Sequence, residues 1–315
     1  MLSLVVPVYG NEGSLPDLLA ATTGLNAALG GELEVVFVVD ASPDNCYMLL
    51  RQQLPQQTFR SQLVLLSRNF GSFSAIRMGL QFAKGERFAV MAADLQEPPE
   101  LVLQMDALLR RDEADVVVGV REGRSDPFVS RLMSAGFWWL YRRYVIPEVP
   151  PGGVDMFGCN RDFRDTLLSL EEQHSSLIGQ LFWVGYRRSI VGYTRQERQH
   201  GKSAWTFKKK WKYLMDSVFS FTDLPIKLLI RIGAIGTAFV GFLAIAVVAA
   251  RLNGLIAVPG YAMTILTIAL LGSMNLLGLG IVGAYAWRTY ENTKQRPNAI
   301  YRQCHLFEGS NAHKS

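Results

Sequence analysis

Cysteine is scarce in this chain and shows no pairing pattern. Three residues, Cys46, Cys159 and Cys304, lie far apart with no CxxC. An odd, scattered set excludes a disulfide framework and fits free thiols in a reducing compartment. Histidine is equally thin: His174, His200, His305 and His313 show no ligand spacing, which argues against zinc. No GxGxxG follows the first apolar segment and no GxxxxGK[ST] occurs, so neither a dinucleotide fingerprint nor a P-loop is supported. Met1-Leu2-Ser3 has no basic region, and Pro7 and Gly10 interrupt the first apolar run. A cleaved signal peptide is therefore not expected.

Charge is missing from two long stretches. Ile232–Ala250 is uncharged between Arg231 and Arg251, and Leu255–Trp287 is uncharged apart from a break at Pro259-Gly260. Trimmed to Ala262–Trp287, the second run is long enough to cross a bilayer, and the first is just long enough. A helical hairpin buried in a soluble core is the other way to hide them. Transmembrane helices are expected at about 229–250 and 262–287, after a globular domain over 1–225 and before a tail over 291–315. Lys208, Lys209, Lys210, Lys212, Lys227 and Arg231 precede the first span, and Arg288, Lys294, Arg296 and Arg302 follow the second. The short connection offers only Arg251, so the positive-inside rule puts both chain ends in the cytoplasm. The expectation is a multi-pass protein of the inner (plasma) membrane with a cytoplasmic domain. The net charge is +5, but its densest run, Lys208-Lys209-Lys210-Trp211-Lys212, sits beside a span. Anionic lipid head groups, not nucleic acid, are the expected partner. Small residues at packing spacing, Gly233, Gly236 and Gly241 in one span and Gly280 and Ala284 in the other, predict a homo-oligomer.

Ahead of the spans, short apolar runs alternate with helical patterns. Strands are predicted at 2–8, 33–39, 62–67, 88–91 and 114–120, rich in Val, Leu and Ile. Helices are predicted from Ser14, up to about Gln53, and over 74–84. This alternation predicts a parallel sheet covered on both faces, with ligands in the crevice beyond the strands' carboxyl ends. Polar groups collect at those ends: Tyr9, Asn11 and Glu12; Asp40 and Asp44; Arg68 and Asn69; Asp94, Gln96 and Glu97; Arg121 and Arg124.

The stretch 88–100, FAVMAADLQEPPE, is the most suggestive of these. A buried strand runs out into Asp94, Gln96 and Glu97, and Pro98-Pro99 forbids further pairing. Such oxygens suit a hard cation and a ligand's phosphates; an acidic turn that opens a helix has the same composition. Segments 128–146 and 204–224 interleave Trp and Tyr with Arg and Lys, as interfacial membrane helices do. A helix packed on the sheet would also carry that composition. Pro150-Pro-Gly-Gly-Val-Asp155 is a turn delivering one carboxylate, and residues 195–203 form a polar loop able to close over phosphates.

The ordered set VVPVYGNEGSL, VVDASPDN, LSRNFGSFSAIRMGL, MAADLQEPPE, VVVGVREGRSDP and RQHGKSAWTF resembles the inverting GT-A glycosyltransferases of family 2. More narrowly, it resembles the branch that charges polyprenyl phosphate with a sugar, including dolichol-phosphate mannose synthases and undecaprenyl-phosphate glucose and aminoarabinose transferases. The resemblance runs from residue 1 to about 300 and implies a Rossmann-like α/β domain. It implies that Pro7, Tyr9, Glu12 and Asp40, with Arg68 nearby, hold the nucleotide sugar. Asp94 and Gln96 would be ligands of Mg²⁺ or Mn²⁺ on the diphosphate. Arg121, Arg131, Arg198, Lys202 and Ser203 would bind donor or acceptor phosphate. Asp94, Arg121 and Asp155 would form the catalytic set, and the oligomer would be a tetramer. The chain departs from its relatives at Ala41, Ala92 and Glu97, where aspartates are usual. Two rivals stay in view. A processive polysaccharide synthase would need a QxxRW motif and further spans, neither of which is present in the sequence; a non-catalytic nucleotide-binding membrane partner would bind without turnover.

Overall fold

The computed structural model describes residues 1–122, 138–139, 141–143, 145–150, 153–172, 175–196, 207–253 and 261–309. The first third alternates as the apolar runs dictate: β1 (Leu2–Val8), α1 (Leu15–Ala28), β2 (Leu33–Val39), α2 (Cys46–Gln53), β3 (Arg60–Leu66), α3 (Ser72–Phe82), β4 (Arg87–Val90), α4 (Glu100–Arg110) and β5 (Val116–Arg121). Then come β6 (Met156–Asn160), α5 (Arg161–Ser169), α6 (Leu177–Trp183), β7 (Arg188–Tyr193), α7 (Phe207–Phe221), α8 (Leu224–Leu252), α9 (Tyr261–Thr293) and β8 (Tyr301–Phe307).

One sheet joins all eight strands in the order β7-β5-β6-β4-β1-β2-β3-β8. β1 pairs parallel with β2 and β4, β2 with β3, and β5 with β7; β6 runs antiparallel between β4 and β5, and β8 antiparallel to β3. Alternate side chains of the central strands feed two cores. Leu4, Val6, Val35 and Phe37 pack with Leu18, Leu50 and Met105 of α1, α2 and α4. Val5, Val36 and Val38 pack with Ile76, Phe163 and Leu181 of α3, α5 and α6. Both faces are thus apolar, which is why these strands read as continuous hydrophobic runs. Gly79 lets α3 lie on the sheet, since a Cβ there would fall 2.3 Å from Val5 Cγ1.

Hydropathy did not mark three strands: β7 and β8, which have little to bury, and β6, which is buried but only five residues long. β8 is mostly exposed, and β7 is only half-covered. β6 is short and contains Gly158. Residues 301–307, within the expected tail, instead form the sheet's edge: Tyr47 donates its hydroxyl to Gln303 Oε1 at 2.6 Å, and Phe82 meets Tyr301 edge-on at 5.1 Å. Ser14 stands at the start of α1 but does not cap it; its hydroxyl donates to Asn11 O and Ala93 O, both at 3.0 Å.

Only part of each expected interfacial segment is described. Residues 138–139 and 141–143 are helical. Tyr141 is fully buried and donates to Ser217 Oγ of α7 at 3.3 Å, whereas Trp139 is exposed. α7 therefore packs on the sheet domain through Ser217 and Leu214. Its other side reaches α9, where Arg288 pairs with Asp216 at 2.8 Å and Tyr285 stacks near Phe219 at 5.2 Å. α8 and α9 are long and apolar enough to cross a membrane. Their windows Leu224–Leu243 and Leu270–Thr293 have mean hydropathy 1.8 and 1.4, and neither is buried by the rest of the protein. A hairpin hidden in a soluble core would be covered.

Opposite the carboxyl ends, the sheet is pinned by a buried carboxylate. Glu34 Oε1 accepts from Gln62 Nε2 at 2.7 Å, and Oε2 accepts from Lys84 N at 2.8 Å and from the Ser3 hydroxyl. One side chain so ties β1, β2 and β3 to the end of α3. Removing it takes the acceptor from three donors, two of them in buried bonds, so Glu34→Ala should cost about 2–4 kcal/mol of stability, read as a lowered unfolding midpoint of the detergent-solubilised protein.

Candidate active site at the carboxyl end of the sheet

The loops after β1 and β2 are laced together. Gly10 N donates to Ser42 Oγ at 2.8 Å, Glu12 N to Asp44 Oδ2 at 3.1 Å, and Asn45 N returns to Glu12 Oε2 at 3.0 Å. Asp40 is buried, and its carboxylate accepts the N–H groups of Phe70 and Gly71 at 2.7 and 2.8 Å. That bond holds the β3–α3 loop, on which Arg68 lies 4.1 Å over the Phe70 ring. Ala41, next in the chain, takes a left-handed φ of 46°, an unusual conformation for a residue with a Cβ. Pro7 lies half-buried in β1, and the Tyr9 ring is exposed. Pro7, Tyr9, Glu12, Asp40 and Arg68 thus share one rim. Glu12 and Asp40 act there largely by shaping loops, because their oxygens are engaged by backbone N–H groups.

The reversed strand β6 builds the other half. Running antiparallel, it begins where β5 and β7 end, so Asp155 meets Arg121 and Tyr193. Arg121 grips Asp155 with both Nε and Nη2, the latter at 2.6 Å, and the Tyr193 hydroxyl donates to Asp155 Oδ2 at 2.6 Å. Burial lowers the Arg121 pKa, but the hydrogen bonds and charge of Asp155 outweigh it and shift the guanidinium upward. Burial and the Asp155 charge also push Tyr193 well above its ordinary range. Arg121 stays cationic and Tyr193 stays a donor. Tyr193 was not among the expected site residues; its only sequence signal was its place at the end of a short apolar run.

Between the halves lies the β4–α4 loop. Leu95 is left-handed, with φ 52°, a strained backbone of the kind that collects at functional sites. Asp94 and Gln96 flank it. Gln96 is buried; its Oε1 accepts from Arg195 Nη2, and its carbonyl accepts from Gln196 N at 2.9 Å. Glu97 is buried too, with Oε2 lacking a partner among the described residues. Burial first, then the charges of Asp155 and Asp94, push its carboxyl up to about 7, against the opposing pull of Arg195 and Arg121.

As a cation site the donor set is lean. No group of three or more His, Cys, Asp or Glu gathers among the described residues. One carboxylate, Asp94, and one amide oxygen, Gln96 Oε1, suit an ion that keeps waters and shares its ligands with substrate phosphates, as Mg²⁺ does. They do not suit a protein-caged ion. Arg131, Arg198, Lys202 and Ser203 lie outside the described residues.

A mostly parallel mixed sheet covered on both faces, with carboxylates, an amide and a paired arginine at its carboxyl edge, is a GT-A-like glycosyltransferase fold. The profile of glycosyl transferase family 2 matches residues 3–170, and the chain belongs to that family. It is 31% identical to an uncharacterized glycosyltransferase of Synechocystis sp. over 94% of this chain and 93% of that one. It is 29% identical to a prophage bactoprenol glucosyl transferase homolog of Escherichia coli (strain K12), over 96% of this chain and 98% of that one. Among solved structures, it is similar to glucosyl-3-phosphoglycerate synthase from Mycobacterium tuberculosis in complex with uridine-diphosphate. The TM-score is 0.48, with 17% identity over 69% of this chain and 79% of that one.

The Glu97 environment has a measurable consequence. Its folded pKa, about 7, lies above the ordinary 4.5, so the folded state holds the proton more tightly. Its contribution is fully present below pH 4.5 and is lost as pH rises through 7. Metal-free wild type should therefore lose on the order of 2–3 kcal/mol relative to Glu97→Gln across that window. Chemical denaturation of both proteins from pH 4.5 to 8 checks this; parallel curves would refute it.

Proposed function

We propose that this glycosyltransferase moves a hexose from a nucleotide sugar, most simply a UDP-sugar, to polyprenyl (undecaprenyl) phosphate. Transfer takes place at the cytoplasmic face of the membrane, with inversion. The observation that carries this reading is a family 2 catalytic edge in the same chain as two uncovered apolar helices. The bactoprenol glucosyl transferase homolog aligned along nearly the whole chain supports it. So does the way the helix pair is tied down: α7 reaches α9 through Asp216–Arg288, and β8 returns to β3 in the domain's own sheet. Spans held at both ends by one domain form a hairpin with both termini on that domain's side, as the flanking Lys and Arg require. A water-soluble donor and a lipid acceptor meet naturally at such a boundary.

Each residue then has a task that its surroundings permit. Asp94 and Gln96 would hold Mg²⁺ or Mn²⁺, which offsets charge developing on the leaving diphosphate. Arg121, kept cationic by Asp155, presents positive charge to a phosphate. The acceptor is a phosphate monoester with a second pKa near 6, so it is already largely an anionic nucleophile at neutral pH. Asp155, with Oδ2 accepting from Tyr193 and both oxygens bound by Arg121, serves better as the anchor of Arg121 than as a base. Pro7, Tyr9, Glu12, Asp40 and Arg68 shape the nucleotide rim. The residues at 131, 198, 202 and 203 add positive charge and a hydroxyl for phosphate, and the spans associate as a homo-oligomer.

The test is full-length protein in lipid nanodiscs with undecaprenyl phosphate, a nucleotide-sugar panel and mass detection of the lipid product. One sugar should be transferred, and EDTA or Asp94→Ala should reduce the rate at least about 10²-fold, the scale of losing one transition-state charge stabiliser. Nucleotide binding with no lipid product from any sugar would favour the non-catalytic partner instead.

A further inference from the structure

Arg195, half-buried just after β7, makes an unusual arginine contact. Its Nη2–H donates to Gln96 Oε1, while the N–H of the next residue, Gln196, donates to the Gln96 carbonyl at 2.9 Å. Residues 195–196 are thus fastened to the β4–α4 loop twice, once by backbone and once by side chain. The side-chain bond is not that of a structural arginine. Arg77, buried in the lower core, spends its guanidinium on the carbonyls of Leu167, Leu168 and Leu170 and on Gln180. Arg195 instead has its Nε buried without a partner among the described residues. Its guanidinium faces the one amide oxygen that stands two residues from Asp94, and its charge is felt by Glu97 beside it.

We infer that Arg195 is a built-in counter-ion of the cation site, holding Gln96 Oε1 in the donor-free protein and yielding it when a divalent ion enters. This rests on the reading of Asp94 and Gln96 as cation ligands. A guanidinium carries its charge at every accessible pH, so it cannot neutralise itself to admit a second cation. Two cations on one carbonyl oxygen repel. Arg195 and the ion are therefore antagonists, and each weakens the other's hold by the same factor. The backbone bond from Gln196 does not depend on that exchange. It keeps the segment in place while the released guanidinium turns to the anionic diphosphate that arrives with the ion. Arg195 is in this sense a positioning residue: its charge offsets that of the neighbouring Glu97, and it changes partner when the ion binds.

The readout is ion binding, not turnover. Mn²⁺ is titrated into full-length protein in detergent micelles without nucleotide, and bound ion is followed by electron paramagnetic resonance. Arg195→Ala should bind Mn²⁺ about tenfold more tightly than wild type, a difference of about 1.4 kcal/mol. Arg195→Gln, which keeps a donor for Gln96 without the charge, should tighten binding likewise and covers the case in which the alanine variant folds poorly. Equal or weaker Mn²⁺ binding by a folded Arg195→Gln would overturn the inference, provided Asp94→Ala still abolishes binding. Mn²⁺ binding that Asp94→Ala leaves untouched would instead fail the cation reading of Asp94 and Gln96, and this inference with it; no binding in any variant would overturn this inference alone, because so lean a site can need the diphosphate to hold an ion.

Discussion

Asp155 can reach Arg121 and Tyr193 only because β6 is inserted against the direction of its neighbours. In a wholly parallel sheet, the start of a strand lies at the edge away from the ligand crevice. Reversal brings the start of β6 to the carboxyl ends of β5 and β7, and the turn before it delivers a carboxylate between a guanidinium and a phenol. The Arg121–Asp155 pair is partly shielded from water, and removing one partner from such a pair leaves an uncompensated charge. Glu97 feels the charges of both members of this pair, together with those of Asp94 and Arg195.

The opposite rim works by different physics. Backbone N–H groups from Glu12, Asn45, Phe70 and Gly71 are satisfied by the carboxylates of Asp44, Glu12 and Asp40. Three strand-end loops are thereby held at defined separations. Left-handed Ala41 and Leu95 mark two points where a loop turns sharply. The missing carboxylate at Ala92 leaves Asp94 as the sole acid of its tripeptide, which makes the contest between Arg195 and a divalent ion for Gln96 more consequential.

Attachment to the apolar helix pair is also a matter of side-chain chemistry. α7 buries Ser217 and Leu214 toward the domain and presents Asp216 and Phe219 to Arg288 and Tyr285 of α9. One helix is shared by two surroundings, so its composition reads equally as interfacial and as packed. Tyr141 shows the same ambiguity: a sequence cannot say which face of an aromatic, basic helix is covered.

The chain's periodicities determined a great deal unaided. Continuous Val and Leu runs placed β1 and β2 to the residue, because strands covered on both faces carry few polar positions to blur their ends. Two uncharged stretches marked α8 and α9, and motif order marked the family. The rim residues Tyr9, Glu12, Asp40, Arg68, Asp94 and Gln96 were legible because strand ends are local features. What only the tertiary structure decided is pairing. Nothing local in Met156–Asn160 says that it runs backwards, and nothing in Tyr301–Phe307 says that it crosses back to β3. The partners of Asp155 and Gln96 follow from those long-range choices. Hydrogen bonds between Arg121 and Asp155, or Arg195 and Gln96, join segments far apart in the chain, and spacing in sequence carries no information about such contacts.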